Sequence, residues 1–421
     1  MKATVNRFLQ HPLISGSTII FFGSFLANVI NFFFNQQMAV RLSLEEYGIL
    51  ASVIAFISLP SFAFGALGPI INSFAGKFFA EKEFGKVKSF LLYIYTFAFY
   101  VCVPVCILYI FFIHAIGDFF HIQSIPLLIL ALGLILISLV SIINQSFLQA
   151  KLSFGFLTIT NIVSSSAKLL LAVILVYMGF GVSGVVWGIV IAYMISYILT
   201  YFPLRFVFSL PRQHISMHPK ALISYSIHTG IALISLTLFI STDLILVKHF
   251  FSSEAAGLYA GLSLIGKVIF YFSAPIGTVM FPLIVHKKER NENYFNTFLL
   301  SLGVVLVPSV VITIIYFFAP TFIIELFLRR SEYLHVSNLV GFFALSMIVY
   351  SLLTVTVNFY LSIKKTFVWI PLLCGALLQG ILIYTYHGSF FTIIMINLSI
   401  ETLLFAILLG GYFLVKDYEK Q

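Results

Sequence analysis

The stretch SFLANVINFFFNQQMAVRLSLEEYG, residues 24–48, determines how the rest of the chain is interpreted. Four polar residues recur in it at spacings of four, three and four, and they are Ser24, Asn28, Asn31 and Asn35. Such spacings place all four on one face of a helix, while Phe, Val, Ile, Leu and Ala occupy the other faces. The apolar segment ends at Arg41, before a short acidic loop. A polar stripe on a helix otherwise suited to lipid must face protein or water.

The composition indicates a membrane protein. Of the 421 residues, 61% are hydrophobic and only 9% are charged, whereas soluble domains carry about 25% charged residues. The three cysteines lie in apolar segments and the ten histidines lack ligand spacing, so we expect neither disulfides nor a metal site. No loop is long enough to hold a catalytic domain, and we therefore expect a protein that is not an enzyme.

Apolar segments of about 20 residues can span a bilayer as helices, and the sequence predicts twelve of them. Their approximate bounds are 15–40, 49–74, 90–113, 126–147, 156–178, 184–203, 221–247, 257–285, 296–318, 335–361, 367–386 and 390–414. Only GFGVSG at 179–184 divides the fifth span from the sixth. The first apolar segment is longer than the core of a cleaved signal peptide, so we interpret it as a retained span.

The positive charges predict the orientation. With a cytoplasmic N-terminus, seventeen of the 23 Lys and Arg residues fall in cytoplasmic segments and four fall in outer loops. This asymmetry places both termini in the cytoplasm. The net charge of +9 then follows from topology, and we expect no nucleic-acid partner.

The two halves of the chain resemble each other at three places. Residues 42–50 (LSLEEYGIL) are similar to 250–260 (FFSSEAAGLYA), which aligns Gly48 with Gly257. SFLL and TFLL begin at Ser89 and Thr297, and a third pair aligns Lys151 with Lys364. Because the offsets of 209, 208 and 213 are nearly constant, the pairs indicate a duplication with both halves in the same orientation.

The sequence therefore predicts an all-α polytopic membrane protein, in which two six-helix bundles form a parallel repeat around a central cleft. The predicted bundles are 1–203 and 221–421, joined by a cytoplasmic linker at 204–220.

Four segments carry a family resemblance: VRLSLEEYGIL (40–50), NQSFLQAKLSFGFLTITN (144–161), STDLILVKHFFSSEAAGLYAGLSLIGK (241–267) and NFYLSIKKTFVW (358–369). They resemble the O-antigen-type, polysaccharide-export branch of the multidrug/oligosaccharidyl-lipid/polysaccharide (MOP) flippase superfamily. The resemblance implies an inner-membrane flippase that moves a polyprenyl-pyrophosphate-linked oligosaccharide by alternating access. It also implies membrane lipids, a glycan polymerase and a chain-length regulator as partners.

Charged residues inside the spans are candidates for function, because each needs a partner or a water-filled cavity. Lys168 and Lys267 could bind an anionic headgroup or form structural ion pairs, for which Glu401 would suit Lys168. Glu401 and Asp243 could couple transport to H⁺ or Na⁺. Alternatively, Asp243 could accept hydrogen bonds from Ser241 or Thr242.

Polar and proline residues complete the set of candidates. Asn28, Asn31 and Asn35 are expected to line the cleft and to bind sugar hydroxyls, since amides both donate and accept. Arg41 either pairs with Glu45 or Glu46 or attracts an anionic substrate. Pro69 and Pro275 lie in spans that the repeat makes equivalent, and both are candidate hinges.

Two rival functions remain within the superfamily. The first is a cation-coupled multidrug antiporter, which should expose acids in its cleft, whereas here the buried cations match the acids in number. The second is a lipid II-type flippase, whose relatives carry two additional helices. A membrane polymerase or ligase would need a sizeable external loop.

Overall fold

The computed structural model of the chain describes residues 12–65, 67–215, 220–290 and 292–418, and these are almost entirely helical. The α-helices in chain order are α1 (Pro12–Arg41), α2 (Leu44–Gly65), α3 (Leu67–Ala80), α4 (Phe84–Phe111), α5 (Ile113–Phe120), α6 (Ile125–Ala150), α7 (Phe154–Tyr177), α8 (Gly181–Tyr201), α9 (Arg205–Phe208), α10 (Lys220–Phe250), α11 (Ser253–Glu289), α12 (Phe295–Phe318), α13 (Pro320–Phe327), α14 (Val340–Ser362), α15 (Trp369–Thr385) and α16 (Phe390–Tyr418). Short 3₁₀ segments occur at Phe202–Leu204, Ser331–Leu339 and Thr366–Val368.

Within the described residues, eleven helical segments are long and apolar enough to cross a membrane. The predicted first span, 15–40, lies in the 30-residue helix α1, which is not among these eleven. Much of the first part of α1 lies outside the residues whose side chains the structure describes, so a span there stays a prediction. The predicted break between the fifth and sixth spans is present, because Gly179 and Gly181 adopt φ angles of +86° and +50° that favour glycine.

The chain divides into two compact units whose boundaries fall inside helices. Unit 1 comprises Met1–Phe34 and Ser52–Gly230, and unit 2 comprises Asn35–Ala51 and Ile231–Gln421. The last seven residues of α1 and the start of α2 thus belong to the unit that is otherwise built from α11–α16 and most of α10. The predicted bundles, 1–203 and 221–421 with a linker at 204–220, place every one of these residues with the first half of the chain.

Buried aromatic and aliphatic side chains from α3, α4 and α6 form the core of unit 1. Ile71, Phe90 and Phe147 are almost completely buried there. Lys88 fixes the segment after α9, because its Nζ donates to the carbonyl oxygens of Phe208 and Leu210, each at 2.6 Å. Carbonyls at the C-terminal end of a helix lack intrahelical donors, and the ammonium satisfies them.

Equivalent serines begin α2 and α11. Ser43 and Glu46 form a capping box at the start of α2, with reciprocal bonds of 3.0 and 3.1 Å. At the start of α11, Ser252 accepts a bond of 3.2 Å from the backbone nitrogen of Ala255. Ser43 and Ser252 are 209 residues apart, so the two predicted copies of the repeat have the same residue type before the same helix.

The two glycines that the repeat aligns lie against each other's helices within unit 2. A Cβ atom on Gly257 would lie 1.9 Å from the carbonyl oxygen of Leu44, and one on Gly48 would lie 2.6 Å from that of Ser253. The backbones of α2 and α11 therefore cross in van der Waals contact at a point where no larger residue fits.

Side chains from α1 and from the segment after α13 hold the turn between α1 and α2 in place. Gln36 donates to the carbonyl oxygen of Phe327 at 2.8 Å, and Tyr333 donates to that of Ala39 at 3.4 Å. The guanidinium of Arg330 contacts Glu332 at 2.9 Å, and this bond raises the pKa of Arg330.

The two hinge candidates occupy different helical positions. Pro275 lies inside α11, where it removes a backbone hydrogen bond. Pro69 is the third residue of α3, close to a helix start, where proline is tolerated. Residue 66 and the side chain of Pro69 are outside the described structure, and bending at either proline stays a prediction.

The glycine crossing predicts the effect of adding one methyl group. Gly257→Ala should lower the stability of the protein by about 1–3 kcal/mol, because α2 and α11 must move apart. The matched control is Gly303→Ala in α12, where no atom lies within 4 Å of the added Cβ, so the helix should gain about 0.5–1 kcal/mol. Thermal unfolding of the purified protein in detergent measures both variants. Equal melting temperatures for the two would show that the crossing tolerates separation.

Candidate functional site

Asp243 lies in α10 at the centre of a buried polar network in unit 2. Its side chain is 2% exposed. Its Oδ2 accepts a bond of 2.8 Å from the hydroxyl of Tyr259 in α11, and its Oδ1 accepts one of 2.7 Å from the backbone nitrogen of Leu244. These bonds compensate the carboxylate for its loss of water.

Two amides extend the network to α15 and α16. Asn397 donates to Oδ2 of Asp243 at 3.4 Å. Gln379 donates to Oδ1 of Asn397 at 2.7 Å and to the carbonyl oxygen of Phe239 at 3.1 Å. The carboxylate of Asp243 is therefore bonded to side chains of α11 and α16. Gln379 in α15 bonds to it indirectly, through Asn397.

Glu401 lies one turn after Asn397 in α16 and is fully buried. Its Oε2 accepts a bond of 2.7 Å from the hydroxyl of Ser346 in α14. Its Oε1 has no hydrogen-bond partner among the described residues. The charges on Glu401 and Asp243 repel each other electrostatically. A buried carboxylate oxygen without a donor is costly, and a proton or a small cation at Oε1 would remove that cost.

Lys267 is the cation of this network. Its Nζ donates to the carbonyl oxygen of Ile240 at 3.1 Å, and it attracts Asp243 electrostatically. Ile240 lies almost one turn before Asp243 in α10. The structure thus brings together both ion-coupling candidates, Asp243 and Glu401, and one of the two buried lysines.

Lys168 in α7 has a different environment, in unit 1. Its Nζ donates to Oδ1 of Asn31 in α1. It also lies 4.4 Å from the centroid of the ring of Phe34, a geometry that stabilises a cation on an aromatic face. The contacts of the Lys168 ammonium are thus an amide and an aromatic ring of unit 1. The carboxylate of Glu401 accepts its hydrogen bond from Ser346 of unit 2.

The boundary between the two units divides the predicted asparagine stripe. Asn28 and Asn31 belong to unit 1, whereas Asn35 belongs to unit 2, and all three are half-buried. Of the three, Asn31 is the one that binds Lys168. Arg41 donates to Oε1 of Gln37, one turn earlier in α1.

The capping box also bears on the prediction for Arg41. Glu46, one of its two predicted partners, uses its carboxylate to accept from the backbone nitrogen of Ser43.

Sequence reasoning missed most of the partners in these networks. They are Phe34, Tyr259, Ser346, Gln379 and Asn397. One signal was available, because Asn397 and Glu401 are four residues apart and share a face of a helix otherwise rich in apolar residues. The remaining partners lie on other helices, and their spacing in the sequence carries no such signal.

Comparisons with known proteins place the chain in context. A family model described as "Polysaccharide biosynthesis protein" matches residues 37–338. A search of curated proteins finds no match.

Three solved structures illustrate the fold. A lipid II flippase, MurJ, in an inward closed conformation has a TM-score of 0.73 at 16% identity, with 95% of this chain and 87% of that chain covered. An outward-facing multidrug resistance MATE family transporter of the MOP superfamily has a TM-score of 0.70 at 13% identity. That match covers 99% of this chain and 98% of the transporter. A eukaryotic MATE transporter has a TM-score of 0.68 at 15% identity, and the match covers 96% of each chain. The family model confirms the predicted resemblance to polysaccharide-export proteins. The solved structures, at identities this low, show only that the fold is shared with a transporter of the MOP superfamily.

Removing the hydroxyl of Tyr259 should destabilise the protein more than removing that of another buried tyrosine. Tyr259→Phe deprives a carboxylate of a donor, which costs about 1.5–3 kcal/mol for a charged acceptor. The control is Tyr316→Phe, whose hydroxyl donates to the neutral carbonyl of Ile265 at 3.1 Å and whose loss costs about 0.5–1.5 kcal/mol. Thermal unfolding measures the difference, and equal losses would show that Asp243 accepts the bond as a neutral acid.

Proposed function

Because the chain belongs to the polysaccharide biosynthesis protein family, we propose that it translocates a polyprenyl-pyrophosphate-linked oligosaccharide repeat unit by alternating access. The membrane would be the bacterial inner membrane, with both termini of the protein in the cytoplasm. The translocated unit would serve the assembly of a surface polysaccharide such as O-antigen, capsule or exopolysaccharide. Eleven helical segments of the described residues are long and apolar enough to cross a membrane, and together with a fold shared with a MOP-superfamily transporter they support a transport role.

The environment of Lys168 carries the proposal. An ammonium inside a membrane-spanning helix is costly unless it is compensated, yet here an amide oxygen and an aromatic ring are its contacts. Neither partner neutralises its charge. An ammonium that keeps its charge is a suitable point contact for a pyrophosphate oxygen, so Lys168 is proposed to bind the headgroup, with Lys267 as the second candidate.

The acids of unit 2 are proposed to couple transport to an ion gradient. Glu401 has one carboxylate oxygen without a donor among the described residues, and Asp243 repels it. Uptake of a proton or of Na⁺ would relieve both the missing bond and the repulsion.

The same two acids favour a second candidate function. A cation-coupled antiporter of small molecules would also use buried carboxylates, and the fold is shared with multidrug transporters. The two functions differ in what Lys168 does, because an ammonium opposes the binding of a cationic drug. Loss of transport on removal of the Lys168 ammonium would therefore favour the glycolipid flippase over the antiporter.

Replacing the proposed headgroup lysine should abolish surface polysaccharide. In a strain that lacks the native gene, Lys168→Ala should lower surface polysaccharide at least about tenfold, because one charge-assisted bond is lost. Lys267→Ala is the second test, and Lys168→Arg should retain part of the activity. The control is Lys77→Ala, whose side chain is 67% exposed. Immunoblots verify the protein level, and normal polysaccharide from both Lys168→Ala and Lys267→Ala would exclude the headgroup role.

Neutralising Glu401 should remove the dependence of transport on an ion gradient. In proteoliposomes, Glu401→Gln should flip a labelled polyprenyl-pyrophosphate oligosaccharide at a rate that imposed proton or sodium gradients no longer change. Glu325→Gln in α13 is the control, since that side chain is exposed and its variant should respond as the wild type does. A gradient response preserved in Glu401→Gln would rule out Glu401 as the coupling group.

A further inference from the structure

Unit 1 contains a polar cavity of about 220 Å³ between α1, α6 and α7. Six of the nine residues around it carry amides or hydroxyls, and they are Ser24, Gln145, Ser146, Gln149, Thr158 and Asn161. The other three are apolar and include Phe154. None of the nine is charged. Because a water occupies about 30 Å³ in the liquid, the cavity has the volume of about seven waters.

Two amides that line the cavity are held by neighbouring helices. Gln149 accepts a bond of 3.1 Å from Asn72 in α3. Gln145 donates one of 3.2 Å to Ser196 in α8. These bonds hold the two side chains in one orientation, so a ligand would meet donors and acceptors that are already positioned.

Of the three amides around the cavity, Asn161 is the one that is left available. It makes no hydrogen bond to the residues that the structure describes, and it is half-buried at the wall of the cavity. A primary amide offers two donors and one acceptor oxygen. An amide at a cavity wall with this capacity unused is placed to bind a ligand that both donates and accepts.

The cavity is aligned with Lys168 along the same pair of helices. α1 and α7 pack closely, since a Cβ on Gly23 would lie 2.1 Å from Cγ2 of Thr158. Seven residues separate Ser24 from Asn31 in α1, and seven separate Asn161 from Lys168 in α7. Two turns of helix correspond to about 10 Å, so the uncharged cavity and the cation lie on one stripe about 10 Å apart.

We infer that this cavity binds a neutral sugar ring of the lipid-linked substrate, while Lys168 contacts the anionic part. The inference rests on the proposed function. The hydroxyls of a sugar donate and accept, which matches amides and hydroxyls, and the apolar wall at Phe154 suits the C–H face of the ring. A lining without charge does not compensate the charge of a phosphate or a carboxylate, so the cavity should select neutral sugars over charged ones.

Binding measurements on purified full-length protein in nanodiscs test the inference. The probes are a polyprenyl pyrophosphate without sugar and the same lipid carrying one glucose, galactose or N-acetylglucosamine. At least one sugar-bearing lipid should bind wild-type protein more tightly than the sugarless lipid does. Asn161→Ala should lower the affinity for that sugar-bearing lipid about three- to tenfold, which corresponds to the loss of one hydrogen bond. Its affinity for the sugarless lipid should not change, which also verifies that the variant is folded.

Two further variants separate the cavity from the headgroup contact. Lys168→Ala should lower the affinity for the sugarless and the sugar-bearing lipids by the same factor. Asn296→Ala removes an exposed amide of α12 in unit 2 and should weaken neither.

Each contrary result has a distinct meaning. Equal affinity of the wild type for all four lipids would overturn the cavity inference and leave the proposed function standing. A loss for every lipid in Asn161→Ala would also overturn the inference, because the residue would then not act on the sugar. Failure of all four lipids to bind wild-type protein would overturn the proposed function and the inference with it.

Discussion

The structure depends on satisfying polar groups that lie inside membrane-spanning helices. Lipid offers no hydrogen bonds, so each buried ammonium or carboxylate must find its partners in protein. Neutral groups meet most of this need here: Asn31 for Lys168, Tyr259 for Asp243 and Ser346 for Glu401. The ion pairs under 4 Å within the described residues lie at helix ends or between helices. Buried charges that are solvated by neutral groups keep their charge available for a ligand or a coupling ion.

The sequence was sufficient to predict most of the fold. Long apolar segments identify the spans by length alone, and the offset of 209 residues identifies Gly48 and Gly257 as equivalents before their contact is seen. It could not show that α1 changes units between Phe34 and Asn35. Periodicity reports which face of a helix is polar, but it does not report which neighbour that face meets at each turn.

The candidate sites were predictable as single residues and not as networks. Lys168, Asp243 and Glu401 are conspicuous because any charge is rare in an apolar span. Their partners on other helices depend on the rotation and depth of each helix, which side-chain spacing within one segment does not encode. The cavity at Asn161 illustrates the same limit: its polar residues come from three helices, and none of them stands out in its own segment.

The two units carry complementary polar chemistry, and this has a thermodynamic consequence for the proposed mechanism. Unit 1 offers a cation and uncharged amides, which suit an anionic glycolipid. Unit 2 offers two carboxylates beside Lys267, and one oxygen of Glu401 has no donor among the described residues. If substrate binding and ion binding favour different conformations, each must change the affinity for the other by the same factor. The proton or sodium affinity of Glu401 should therefore depend on whether substrate is bound at Lys168, and a ligand with equal affinity for both conformations would produce no transport coupling however tightly it bound.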